Sequence, residues 1–257
     1  MQRNLSVFLS LLFIFTRSLV LCGQTYITPT HKVTLKEAHM GTLEVDARIL
    51  ESFRVVPPQI STFYESAHAV LSSSEEAEFT DREIVEAALE NNVKLLGGPM
   101  LGDIRENSVS LWLRPFVKKS LNIKMFDGSK DAGNIKLDQI QSGKSYHVSL
   151  DGLTPNTHYE FKIYDDAESI AEGAFRTLPA KDSEETFRIT FGSCSHKVGL
   201  HNPNLIQQIM KREPQMMVLL GDIAVDDRDN QINLHRADYL LRDLSEPWQQ
   251  LISHIPI

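Results

Sequence analysis

The sequence predicts a multi-domain α+β protein: a helical N-terminal segment, then an antiparallel β-sandwich, then the start of an α/β domain. Three observations predict it. Apolar residues recur at helical spacing up to about residue 94, the period changes to two between 95 and 179, and from 187 onward two apolar strands flank an amphipathic helix. At 257 residues the chain is long for one compact unit and comfortable for two.

Residues 1–23, "MQRNLSVFLSLLFIFTRSLVLCG", have a short basic start, an apolar run from Leu5 to Phe15 and small or medium residues near Gly23, the pattern of a secretory signal peptide. The expected location is therefore periplasmic, cell-surface or extracellular. A retained membrane anchor is the rival reading, but Arg17 interrupts a run already short for a bilayer. No later segment is apolar enough to cross one. "LVLC" is similar to a lipoprotein box, except that Leu21 stands where a small residue is expected; lipidation of Cys22 stays open. The formal charge of −8 becomes −10 once Arg3 and Arg17 are removed, which argues against nucleic acid as a specific partner. If Cys22 leaves with the signal, Cys194 has no intrachain partner.

Residues 24–94 read as helical and connective. "VVPPQ" breaks any preceding element, and after it Ile60, Phe63, Tyr64, Ala67, Val70 and Leu71 share one helical face. Thr80 and Glu83 have capping-box spacing ahead of Ile84, Val85, Ala88 and Leu89. Between 95 and 179, "SVSLWLRP" sets Val109, Leu111 and Leu113 against Ser108, Ser110, Trp112 and Arg114. Five further short alternating segments follow with turn residues between them, so an antiparallel sandwich is expected. "LDGLTPNTHYEFKI" resembles the strand E to F corner of fibronectin type III-like domains, where a tyrosine placed like Tyr159 bonds back to the corner. That resemblance speaks to fold and leaves activity open.

After a polar linker, Pro179 to Thr186, the pattern changes again. "FRITFGSCS" is a strand ending in a Gly/Ser turn, and "NPNLIQQIMKR" has Asn202 at an N-cap, Pro203 at the first helical position, and an apolar face. "QMMVLLGD" is a second strand. Strand, helix and near-continuously apolar strand make a βαβ unit, which implies a parallel sheet covered on both faces. Leu234, Ala237, Leu240, Leu241 and Leu244 mark another helix, and "IPI" closes residues 187–257 where a third strand is expected.

In open α/β sheets ligands gather at the carboxyl ends of the strands. One such end presents Gly192-Ser193-Cys194-Ser195-His196, and the other Gly221-Asp222, with Asp226 and Asp227 behind it. A thiol and a carboxylate are thus expected on one rim, and an acid ending a buried strand calls for a cation to offset its desolvation. The candidate metal ligands are Asp222 and Cys194. His196 and Asp226 are candidates for contacts to substrate or to those ligands; His201 could do the same, though an exposed loop histidine is more often incidental. Asp226 and Asp227 also fit a solvated loop or a hard-cation site.

"FRITFGSCS", then "MVLLGD", then "LHRADYLLRDLSEPWQQLISHIPI", preceded by "GGPMLGDIRENSVSLWLRP", resemble in that order the PhoD-like alkaline phosphatases, a metallophosphoesterase family; the likeness runs from about Gly97 to Ile257. It implies that residues 187–257 begin a metallophosphatase domain, truncated here, and that the activity is hydrolysis of phosphate mono- or diesters by metal-bound hydroxide. By position Asp222 would bridge two metal ions and Cys194 would be a thiolate ligand, with iron and calcium as the family's metals. Two departures stand out. Val225 occupies the place of a tyrosine ligand, and the family's next segment, Asp-Asp-His, would fall beyond Ile257. Two ligands do not hold a catalytic centre, so the expectation is the front part of a phosphatase, inactive alone. Two rivals remain: a non-catalytic secreted binding module built on the sandwich, and thiol catalysis by Cys194 with His196 as base.

Overall fold

The computed structural model describes residues 26–117, 119–224 and 231–257. The signal segment with Cys22, and the positions Val225, Asp226 and Asp227, lie outside the described residues. The fold mixes helices with antiparallel sheets, and adds one small parallel sheet.

Thr34 opens α1 (Leu35–Ala38) with a reciprocal capping box: its hydroxyl accepts from Glu37 N, and Glu37 Oε2 accepts from Thr34 N at 2.8 Å. Thr42 caps α2 (Leu43–Leu50) through Val45 N. Pro57 and Pro58 start α3 (Pro58–Ser73), which buries Phe63, Tyr64, Ala67 and Leu71 as its periodicity predicts. The capping box expected at Thr80 and Glu83 is not formed. Asp81 is the N-cap of α4 (Arg82–Glu90), and its Oδ2 accepts from Glu78 N, so the first turn has no side-chain cap. A single apolar core joins these helices to Leu240, Leu241 and Leu244 near the C-terminus.

Seven strands form the sandwich: β1 (Met100–Gly102), β2 (Ser108–Leu113), β3 (Leu121–Asp127), β4 (Lys130–Leu137), β5 (Tyr146–Asp151), β6 (His158–Asp165) and β7 (Glu168–Arg176). They are arranged as sheets β1-β2-β5 and β4-β3-β6-β7, antiparallel throughout. Val109, Leu111 and Leu113 face inward from β2, and Ile123, Phe161 and Ile163 meet them from the other sheet. The tyrosine corner is formed: Tyr159 Oη accepts from Thr154 N at 2.9 Å.

β8 (Ile189–Gly192) and β9 (Met216–Leu219) pair in parallel, Phe191 opposite Val218, with α5 (His196–Leu200) and α6 (Pro203–Met210) in the crossover. Asn202 caps α6 through Asn204 N. The expectation that this sheet is covered on both faces is wrong. Met217 packs with Leu200, Ile206 and Trp248 on one side, whereas Phe191 is 73% and Leu220 62% exposed on the other. An apolar strand reports what its side chains are; whether a neighbour covers them depends on elements elsewhere in the chain.

Two helices follow, α7 (Ile232–Asp243) and α8 (Glu246–Ile252), the latter capped by Ser245. Behind α8 the chain ties the sheets together, because Pro256 O accepts from Met217 N of β9 and Ile257 N donates to Leu101 O of β1. Ser253 O accepts from Ala174 N of β7. At the junction of helices and sandwich, Arg114 Nη1 reaches Asp243 Oδ2 at 2.9 Å. Gly97, with φ at +76°, passes so close to Asp243 that a Cβ would sit 2.5 Å from its carboxylate oxygen.

Candidate metal centre

β8 and β9 end side by side, and the segments leaving them are hydrogen-bonded to each other. Cys194 N donates to Gly221 O at 3.2 Å, His196 N to Asp222 O at 3.3 Å, and Ser195 Oγ to Ile223 O at 3.2 Å. The last of these bonds uses a side chain, so Ser195 is a structural tie that the sequence reading did not single out. Cys194, His196 and Asp222 have φ values of +55°, +53° and +50°. Non-glycine residues adopt this left-handed region at a cost and keep it where surrounding contacts over-determine it. The result is that the Cys194 Sγ lies 3.4 Å from Asp222 Oδ2 and donates to it. The pair expected on the rim is therefore brought together.

One premise behind that expectation fails. Asp222 is exposed, and so is Cys194; the outer face of β9 is open at Val218, and the Asp222 carboxylate keeps its access to water, so it needs no cation to offset burial. The site rests instead on the convergence of its donors. Thiolate and carboxylate suit a metal of intermediate softness. For bond lengths of about 2.3 Å to sulfur and 2.1 Å to oxygen, the observed 3.4 Å separation corresponds to an angle of about 100° at the cation, close to tetrahedral. The two residues fit as part of a metal site. Among the described residues no group of three His, Cys, Asp or Glu converges there, and Asp226 is outside them.

His196 is half-buried. Its Nδ1 takes the Val198 N–H at 3.5 Å, and its ring lies 4.8 Å from that of His39 at the end of α1, tilted by 59°. Among the described residues the contact that the Cys194 thiol makes is to the Asp222 carboxylate, as donor, and not to an imidazole. His201 is not an exposed loop residue: it is buried, and its Nε2–H donates to Leu241 O at 3.2 Å. Burial, with help from the Arg54 and Lys197 charges, pushes its pKa down to about 3.

Sequence reasoning missed Lys197. Three residues past Cys194, it is wholly buried, with Nζ 2.7 Å from Asp46 Oδ1 on α2 and 3.1 Å from Asp238 Oδ1 on α7, both carboxylates also fully buried. A signal was present at the partners' end. Asp46 shares helical spacing with Ile49 and Leu50, and Asp238 with Leu234 and Leu241, so each acid occupies the apolar face of its helix.

No protein-family model matches the chain, and no curated protein matches it. Among solved structures, that of PhoD aligns at 18% identity with a TM-score of 0.48, covering 64% of this chain and 37% of that one. The third fibronectin III domain of the human KIAA0343 protein aligns at 14% identity and TM-score 0.25, over 35% of this chain and 86% of that one. The FN1–FN3 domains of chicken CNTN1 align at 13% identity and TM-score 0.25, over 30% of each chain. The chain thus spans well under half of the PhoD structure. No helix among the described residues is long and apolar enough to cross a membrane.

Proposed function

We propose that this chain carries the thiolate and carboxylate part of a metal-dependent phosphoric ester hydrolase of the alkaline phosphatase D type, acting outside the cytoplasm. The observation that carries the reading is the 3.4 Å approach of Cys194 Sγ to Asp222 Oδ2 at the carboxyl ends of two paired parallel strands. The order of motifs from Gly97 to Ile257 agrees with it.

Cys194 and Asp222 would hold the metal, the first as thiolate and the second as carboxylate; iron with calcium is the family's combination. Bound metals of this kind supply Lewis acidity toward phosphoryl oxygens and acidify water. The chain's own contribution is placement. Three hydrogen bonds between the segments after β8 and β9 fix the two side chains against each other before any ligand arrives. His196, tied through its backbone to Asp222 O and through Nδ1 to Val198 N, presents its ring beside the rim, where it can reach a phosphate oxygen. Asp226 is a second candidate for that role.

The test is sulfur ligation at equilibrium. Titrated with Co2+, the full chain should develop a thiolate charge-transfer band that Cys194→Ala abolishes and that Asp222→Ala shifts to at least tenfold higher cobalt concentration, with the circular dichroism unchanged in both. A chain without such a band, or with one that neither substitution alters, would refute the proposal.

A further inference from the structure

Lys197 stands out from every other cation among the described residues because it is wholly buried together with two carboxylates that pair with it there, Asp46 and Asp238. Such a network is a poor way to gain stability. Taking paired charges out of water costs more than their attraction returns unless geometry is excellent, and well-packed apolar residues of similar volume are often at least as stabilising. What a buried, directional network does supply is a fixed arrangement of the elements that carry its members. Here those elements are α2, α5 and α7, and α5 begins directly after Cys194 and Ser195. The segment with left-handed Cys194 and His196 is held from the β9 side by the bonds to Gly221, Asp222 and Ile223. On the opposite side it is held through Lys197, and His39 of the same helical segment abuts the His196 ring.

We infer that Lys197, anchored by Asp46 and Asp238, is the positioning residue that sets Cys194 Sγ against Asp222, so that the N-terminal helical segment is a working part of the metal centre. Its metal-binding consequence rests on the function proposed above; the positioning of the thiol does not. Lys197 itself touches neither metal nor substrate and acts through the backbone of α5.

The full chain is titrated with Co2+, a probe whose thiolate charge-transfer band reports sulfur ligation, and Cys194 alkylation by iodoacetamide is timed in parallel. Lys197→Met alone strands two buried carboxylates, so the informative variant is the apolar triple, Asp46→Leu/Lys197→Met/Asp238→Leu. Ile123→Val in the sandwich core serves as a control for lost stability. The triple variant should stay folded, lose at least tenfold in Co2+ affinity and change its Cys194 alkylation rate at least threefold; Lys197→Arg should recover part of both losses. Ile123→Val should lower Tm and leave both readouts alone. A folded triple variant with parental Co2+ affinity and parental alkylation would overturn the inference. If the parent shows no Cys194-dependent cobalt band, the phosphatase reading fails; the alkylation rate then decides the positioning role by itself, upheld by a changed rate and overturned by an unchanged one.

Discussion

His201 follows α5 directly, with its ring sealed against Leu241 O and the cations of Arg54 and Lys197 nearby. Burial is the largest influence on it, and the two cations act in the same direction; the hydrogen bond to Leu241 opposes them. The folded pKa of about 3 lies below the usual 6.5, so the unfolded chain binds the extra proton between those values. The stability contributed by neutral His201 is therefore fully present above about pH 6.5 and is lost as pH falls toward 3; over the whole window it is at most about 5 kcal/mol. His201→Gln, which keeps a donor for Leu241 O, should flatten the fall in urea midpoint between pH 7 and 4 relative to the parent. Parallel slopes in the two proteins would mean that His201 is not held neutral. From the sequence alone this histidine reads as an exposed loop residue. Its burial comes from α7, forty residues further on, and nothing local announces it.

At the level of single elements, the readable features are those whose physics is local. Tyr159 and Thr154 are five residues apart, Asn202 and Pro203 start α6 by a rule that concerns one turn, and α3 shows its buried face over sixteen residues. Tyr159→Phe removes one partly buried hydrogen bond and little else. It should cost about 1 kcal/mol in urea unfolding with the m-value unchanged; a cost near zero would show that the corner bond adds nothing in this sandwich. Thr80 misled for an equally local reason: Thr80 and Asp81 are both good cap residues, and the helix starts after the second. α8 has only seven residues, too few for a period to declare itself, although Ser245-Glu246-Pro247 is a serviceable start signal in hindsight.

Over the whole molecule, the helical segment and α7 share one core, with the sandwich inserted between them in sequence. This explains why the site was only half legible. Cys194 and Asp222 each stand at the end of a strand, and strand ends can be found from a run of apolar residues. Lys197 pairs with partners 151 and 41 positions away, and a lysine in a short polar turn carries no mark of that destination. The same blindness applies to the outer face of the β8–β9 sheet, where Phe191 and Leu220 read as core and are not. The sealed amine of Lys197 has a practical use. An acylating reagent finds exposed Lys130 at once, but reaches Lys197 only when helices from both ends of the chain part company. Peptide mass mapping of acylated protein against time should show Lys197 marked at the rate of that opening, accelerating with urea while Lys130 does not. One buried nitrogen would then act as a clock for how often the two ends of the chain let go of each other.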